Sequence, residues 1–212
     1  MTSEPRRAAA SALRALNNAF VAHEADPELL EHIAAFAQDA AARLRFAERR
    51  DLAPLLAANV GRLFRVDPAD ETQPSAVNFM TDRAVGGETN PTSAELEFEY
   101  ADDEVVVRTT LGAAYEGAPG RAHGGMVAAL FDDITGFLLP LAGTPAYTGE
   151  LTIRYRRPVP IETPLEFRTR IDSRQGRKLH VTADCRAGDE LVATAEALFI
   201  AVDVGQFGKS SG

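Results

Sequence analysis

Between Met126 and Leu139 the chain is apolar at nearly every position, interrupted by the adjacent carboxylates Asp132 and Asp133. The run opens on Arg121-Ala122-His123-Gly124-Gly125 and is long enough for a helix of several turns. A helix apolar on every face has to be buried, so the rest of the domain must supply a surface that wraps it. Carboxylates are almost never fully buried unless paired or hydrogen-bonded, because desolvating the charge is costly. A carboxylate in that setting is a candidate for chemistry, and the start of the helix is a candidate anion site.

The surroundings supply the wrapping surface. Upstream, Ala94, Leu96, Phe98 and Tyr100 alternate with Glu95, Glu97 and Glu99, and Val105 to Leu111 returns after a turn at Asp102-Asp103. Downstream lie four further β-type stretches. Leu151, Ile153 and Tyr155 alternate with Thr152, Arg154 and Arg156; Leu165, Phe167 and Ile171 alternate with charged residues. Leu179, Val181, Ala183 and Cys185 do the same against His180, Thr182 and Asp184, and Leu191 to Val202 is more continuously apolar, as an interior strand would be. Gln175-Gly176 and Ala187-Gly188-Asp189 are short enough for hairpins. Two strands, one buried helix and four strands predict an α+β fold, an antiparallel sheet whose concave face holds the helix. Gly112 to Gly120 reads as a loop.

The N-terminal third is different. Leu13, Leu16 and Phe20 mark one helical run. A second starts with Asp26 as N-cap and Pro27 at the first helical position, and carries Leu29, Leu30, Ile33, Phe36, Ala40 and Leu44 at three- and four-residue spacing. A third, shorter segment covers Leu52 to Phe64. Residues 1–66 are thus a helical extension that packs on the main domain or a partner chain, 67–205 the main domain, and 206–212 a flexible tail.

A net charge of −9 excludes a general nucleic-acid binder, which needs a basic field. The single cysteine, Cys185, forms no internal disulfide and fits a reducing, cytoplasmic setting. No stretch of eighteen apolar residues exists, so no membrane span is expected.

His123 and Asp132 stand nine positions apart. On a helix that is two and a half turns, roughly 13 Å along the axis and on opposite faces. If both serve one site, the second must come from another copy of the chain, as in a two-fold dimer. Free N–H groups at Gly124 and Gly125, at the positive end of the helix dipole, suit a developing oxyanion. An aspartate opposite could activate water or attack a carbonyl. Together they describe hydrolysis of an activated acyl group.

The stretch Tyr115-Glu116-Gly117-Ala118-Pro119-Gly120-Arg121-Ala122-His123-Gly124-Gly125, followed by Asp132, resembles the hotdog-fold acyl-CoA thioesterases of the PaaI-like and THEM-type branch. Asn90-Pro91 and Tyr155-Arg156-Arg157-Pro158-Val159-Pro160 add to the likeness, which covers about residues 75–203. The resemblance implies a hotdog fold working as a homodimer or a dimer of dimers (a homotetramer). It makes Gly124 the amide that polarises the thioester carbonyl, Asp132 the catalytic carboxylate acting across the interface, and Thr148 its assistant, with His123 orienting the turn. Some relatives carry an Asn or Gln as second oxyanion donor where Gly117 stands. Asp133, about 100° round the helix from Asp132, is expected to pair with an arginine or face solvent.

Coenzyme A carries phosphates, so Gly125, Arg156, Arg157, Arg177 and Lys178 are taken as substrate-binding candidates, with Arg154 and Arg174 nearby. Phe79, Met80, Gly136 and Phe137 are candidates for an acyl pocket. His23, His32 and His180 form no metal-ligand pattern and no nucleotide fingerprint is present, so neither a metal nor a cofactor is expected. Two other readings fit such a chain: an enoyl-thioester hydratase or dehydratase, and an acyl-CoA-binding protein without catalysis.

Overall fold

The computed structural model describes residues 4–51, 81–101 and 103–203. The expected third helical segment, the boundary near residue 66, Phe79, Met80 and the tail at 206–212 lie outside these residues.

Twelve elements follow in order. Helices α1 (Glu4–Ala22) and α2 (Pro27–Arg45) precede strands β1 (Glu97–Ala101) and β2 (Glu104–Thr110). A single 3-10 turn (Ala113–Tyr115) leads to two short strands, β3 (Glu116–Ala118) and β4 (Arg121–Ala122), and then to the central helix α3 (Gly124–Gly136). The chain ends with β5 (Ala146–Tyr155), β6 (Pro164–Gln175), β7 (Lys178–Ala187) and β8 (Glu190–Ala201). The stretch read as a loop from Gly112 to Gly120 therefore contains local structure. Glu116 pairs with Ala122 and Ala118 with Arg121, an irregular ribbon too short to leave an alternation in the sequence.

Six strands form one antiparallel sheet in the order β1-β2-β6-β7-β8-β5. The alternations decide which face meets α3. Leu179, Val181, Ala183 and Cys185 are buried on β7, while His180, Thr182 and Asp184 keep some exposure on the other face. Helix α3 fills the concavity with Val127, Leu130, Phe131 and Ile134, none of which is solvent-accessible. Phe131 meets Phe167 of β6 edge-on, ring centroids 5.2 Å apart. Burying each such side chain contributes about 1.5–3 kcal/mol, so this cluster positions the helix on the sheet. Burial pushes the Cys185 thiol up to about 12, with Asp184 adding to the shift, so the cysteine is a core residue and not a nucleophile. Strand β8, the most continuously apolar, lies inside the sheet between β7 and β5.

One irregularity in β5 matters later. The register against β8 slips between Thr148 and Glu150, leaving Gly149 as an extra residue. A regular strand puts residues of odd separation on opposite faces. Thr148 and Leu151 are three apart, so a regular strand would turn Thr148 outward when Leu151 points in. The bulge corrects the parity, so Thr148 faces α3 together with Leu151, Ile153 and Tyr155. A Cβ built on Gly149 would stand 3.1 Å from Ile200 Cγ1, a tight approach that glycine avoids.

Helix α2 follows the sequence closely: Asp26 Oδ1 accepts from Leu29 N–H at 2.8 Å and Pro27 occupies the first helical position. Helix α1 departs from the expected apolar packing. Leu13 is 40% and Phe20 55% exposed, whereas Ala10 and Arg14 are buried. Arg14 carries the docking. Its guanidinium donates to Glu95 Oε1 at 3.0 and 3.2 Å and to the carbonyls of Glu88 (3.2 Å) and Asn90 (3.0 Å). Asn18 accepts from the Ala114 N–H at 3.1 Å. Helix α1 is thus fixed by a hydrogen-bonded arginine to the segment before β1, and by Asn18 to the 3-10 turn.

Candidate active site

The N-terminus of α3 is built around His123, whose extended backbone (φ −62°, ψ 130°) makes it the N-cap. Its imidazole Nδ1 accepts from the Gly125 N–H at 3.0 Å. This corrects one expectation. The Gly125 amide is occupied by the cap, because an acceptor side chain immediately before a helix satisfies the N–H two residues on. The Gly124 N–H makes no hydrogen bond among the described residues and remains available at the positive end of the helix. Gly124, Gly125 and His123 are all exposed.

Two neighbours fix this corner. The Tyr155 hydroxyl, from the far end of β5, donates to the Gly124 carbonyl at 2.6 Å. Gly117 of β3 lies under His123, where a Cβ would come within 2.8 Å of His123 Cα and 3.1 Å of its Cβ. That approach explains the departure from the family pattern at this position, since any longer side chain would displace the histidine.

Two turns along α3, the carboxylates separate as their angular spacing requires. Asp132 is exposed, and its Oδ1 accepts from the Thr148 hydroxyl at 2.8 Å. Asp133 points to the other side, into the protein, and is paired with Arg83 at 3.4 Å. The buried carboxylate expected from the apolar helix is therefore Asp133. Burial pushes its carboxyl above the usual range, while Arg83 and the Gly86 amide pull it back down and Asp132 adds to the rise. Burial likewise lowers Arg83, against the pull of Asp133. Arg83 lies over the Phe137 ring, 4.6 Å from its centroid. Arg83 Nε and Nη2 and Asp133 Oδ2 are buried without hydrogen-bond partners among the described residues. Phe137 is buried, its ring covered by Arg83 and Phe98, so it is packing rather than pocket wall.

The basic candidates do not form one patch. Arg156 and Arg157 sit at the Tyr155 end of β5, their N–H groups donating to the Val192 carbonyl at 2.8 and 3.0 Å. Arg157 also pairs with Glu190 at 3.2 Å. Arg177 and Lys178 sit at the other end, where Lys178 stands opposite Ile200 and Arg177 Nε donates to the Ala201 carbonyl at 2.9 Å. Since Ala146 is the β5 partner of Ala201, that hairpin borders the Thr148–Asp132 end. In one copy the two pairs are separated by roughly 30 Å of strand. Arg154 is paired with Glu196 at 2.9 Å, and Arg174 donates to the Ala142 carbonyl at 3.5 Å.

Two residues of this site were not picked out from the sequence. Tyr155 carried a signal, because it shares parity with Leu151 and Ile153 and so had to face the helix. Arg83 carried none, lying in a loop with no periodicity. Among the described residues, no group of three or more His, Cys, Asp or Glu side chains is placed to hold a metal ion. None of the described helices is long and apolar enough to cross a membrane.

Residues 119–197 match the thioesterase superfamily. Acyl-coenzyme A thioesterase THEM4 of Bos taurus is 34% identical over 116 residues, covering 51% of this chain and 48% of that protein. The Mus musculus protein of the same name is 35% identical over 116 residues, covering 51% and 50%. The chain spans about half the length of the curated relatives it matches. A thioesterase superfamily protein of known crystal structure superposes with a TM-score of 0.69 at 27% identity, covering 92% of this chain and 94% of the other. That coverage is too long for the sheet domain alone and extends into the helical N-terminal part. With its six-stranded antiparallel sheet around one buried helix, the chain has a hotdog fold, and residues 119–197 within it match the thioesterase superfamily.

Proposed function

We propose that the chain is an acyl-CoA thioesterase whose active centre is shared between two copies of itself. One observation carries the reading: an exposed Asp132 carboxylate, on a helix whose Val127, Leu130, Phe131 and Ile134 are buried, is held at 2.8 Å by the Thr148 hydroxyl. The activity named in the related THEM4 proteins supports it. Within one copy the free Gly124 amide and Asp132 lie two turns apart on α3, roughly 12 Å along its axis. A two-fold pairing sets the amide of one copy against the carboxylate of the other.

The thioester oxygen accepts from the Gly124 N–H, whose position at the helix start favours negative charge. Asp132 of the second copy takes a proton from water, and the hydroxide adds to the carbonyl carbon. Collapse of the tetrahedral species breaks the C–S bond, and the departing thiolate recovers the proton from the Asp132 carboxylic acid. Thr148 orients the carboxylate by donating to Oδ1 and leaves Oδ2 to act. Attack by Asp132 itself, through an anhydride, uses the same groups. Water is the only co-reactant the scheme requires. In the paired arrangement, Arg156 and Arg157 of one copy and Arg177 and Lys178 of the other flank the same centre and suit the phosphates of coenzyme A. A reducing cytosol suits the lone, buried Cys185.

Gly124 is the first helical residue and His123 before it is extended, so proline fits at 124 and removes only the proposed N–H donor. Gly124→Pro is expected to lower kcat for thiol release by about 10²–10³ with a small change in KM. Asp132→Asn is expected to lose activity to a similar or greater extent. Mixing the two inactive variants restores one good site per mixed dimer, about a quarter of full activity when subunits exchange randomly. No recovery would place amide and carboxylate in the same copy and sink the shared centre. Undiminished thiol release by Asp132→Asn would sink the whole reading. Hydration of an enoyl-CoA would point to the hydratase, and binding without turnover to a carrier.

A further inference from the structure

We infer that Tyr155 is a positioning residue for the oxyanion donor, acting on the Gly124 amide through the peptide plane that follows it. The inference rests on the thioesterase reading of the site and deepens it. The peptide joining Gly124 to Gly125 is held at both ends. Its carbonyl accepts from the Tyr155 hydroxyl at 2.6 Å, and its N–H donates to His123 Nδ1 at 3.0 Å. Both residues flanking that plane are glycines, which leave the backbone freer than any other pair. A donor that must point at one oxygen gains nothing from such freedom. Two hydrogen bonds from opposite sides remove it, holding the peptide plane on one side of the Gly124 Cα and so limiting how far the adjacent Gly124 N–H can swing.

The contact is not required to satisfy the helix. The Gly124 carbonyl already lies in the first turn of α3, where the N–H four residues on is its ordinary partner. Nor does Tyr155 fill the core, since it is half exposed. Its aim is set by the strand: with the Gly149 bulge in place, Thr148 and Tyr155 project from the same face of β5. One reaches Asp132 and the other reaches Gly124. A single strand thus orients both functional ends of the helix.

Tyr155→Phe removes only the hydroxyl. It is expected to lower kcat for acyl-CoA hydrolysis about tenfold, the scale of a small misplacement of a reacting group, with KM and the thermal midpoint unchanged. The decisive measurement is the double variant. In a Gly124→Pro background there is no amide to aim, so adding Tyr155→Phe should cost nothing further. An additive loss in the double variant, a fall in the thermal midpoint matching the loss of rate, or an unchanged kcat in Tyr155→Phe overturns the inference while leaving the thioesterase reading intact. Full activity of Gly124→Pro overturns the oxyanion role itself, and this inference with it.

Discussion

Asp132 and Asp133 show how differently two neighbouring carboxylates can be used. Asp132 meets solvent, while Asp133 is 16% and Arg83 15% exposed at the side chain, with buried nitrogens and an oxygen unpartnered. Halving a buried pair leaves a charge without compensation, so Asp133→Leu is expected to cost about 3–5 kcal/mol in urea denaturation. Arg83→Met together with Asp133→Leu should recover most of that loss, the sign of coupling within the pair. The same burial sets a pH dependence. With the folded carboxyl raised above its unfolded value, the folded state holds the proton to higher pH. The associated stability is present at low pH and falls as pH rises through the raised value. An Asp133→Asn variant lacks that decline, and the difference between the two denaturation profiles reads it. The sequence told the two carboxylates apart by angle alone, since neighbours on a helix cannot face one site. It did not reveal that Gly125 is occupied, because that depends on which ring nitrogen of His123 turns inward.

At the scale of the element, β5 is where the alternation pattern both succeeded and failed. It set Leu151, Ile153 and Tyr155 on one face, and the same rule carried back without a break would put Thr148 on the other. Only the likeness to known thioesterases put Thr148 in the site, and the slipped register at Gly149 supplies the physical reason. A bulge adds one residue without altering residue type, so hydrophobic periodicity cannot announce it. Gly149→Val would press a branched side chain onto Ile200, whose Cγ1 is 3.1 Å from the Cβ position. The expected cost is about 1–3 kcal/mol of stability, checked by chemical denaturation. Helices show the complementary case. The cap, the proline and the first turn of α2 were legible because each is a local signal, whereas the way α1 docks was not, because what fixes it is an arginine reaching residues some 80 positions away.

In the molecule as a whole, helices α1 and α3 meet on the same stretch of chain. Arg14 holds the Glu88 and Asn90 carbonyls and the Glu95 carboxylate, and Arg7 pairs with Glu88 at 2.9 Å. That stretch is braced internally by the Thr89 N–H on the Thr81 carbonyl (2.9 Å) and the Gly87 N–H on the Arg83 carbonyl (3.1 Å). Arg83 then closes onto Asp133. Arg14→Ala leaves the Glu88 and Asn90 carbonyls and the Glu95 carboxylate without their charged donor, at an expected cost of about 1–3 kcal/mol. Limited proteolysis between α1 and α2 should accelerate in step. Trimming the first helix to obtain a minimal enzyme would therefore strip one side from the scaffold on which Arg83 is mounted. The arm is better regarded as masonry beneath the reactive helix than as a detachable appendage, and a shortened version should be judged on turnover as well as solubility.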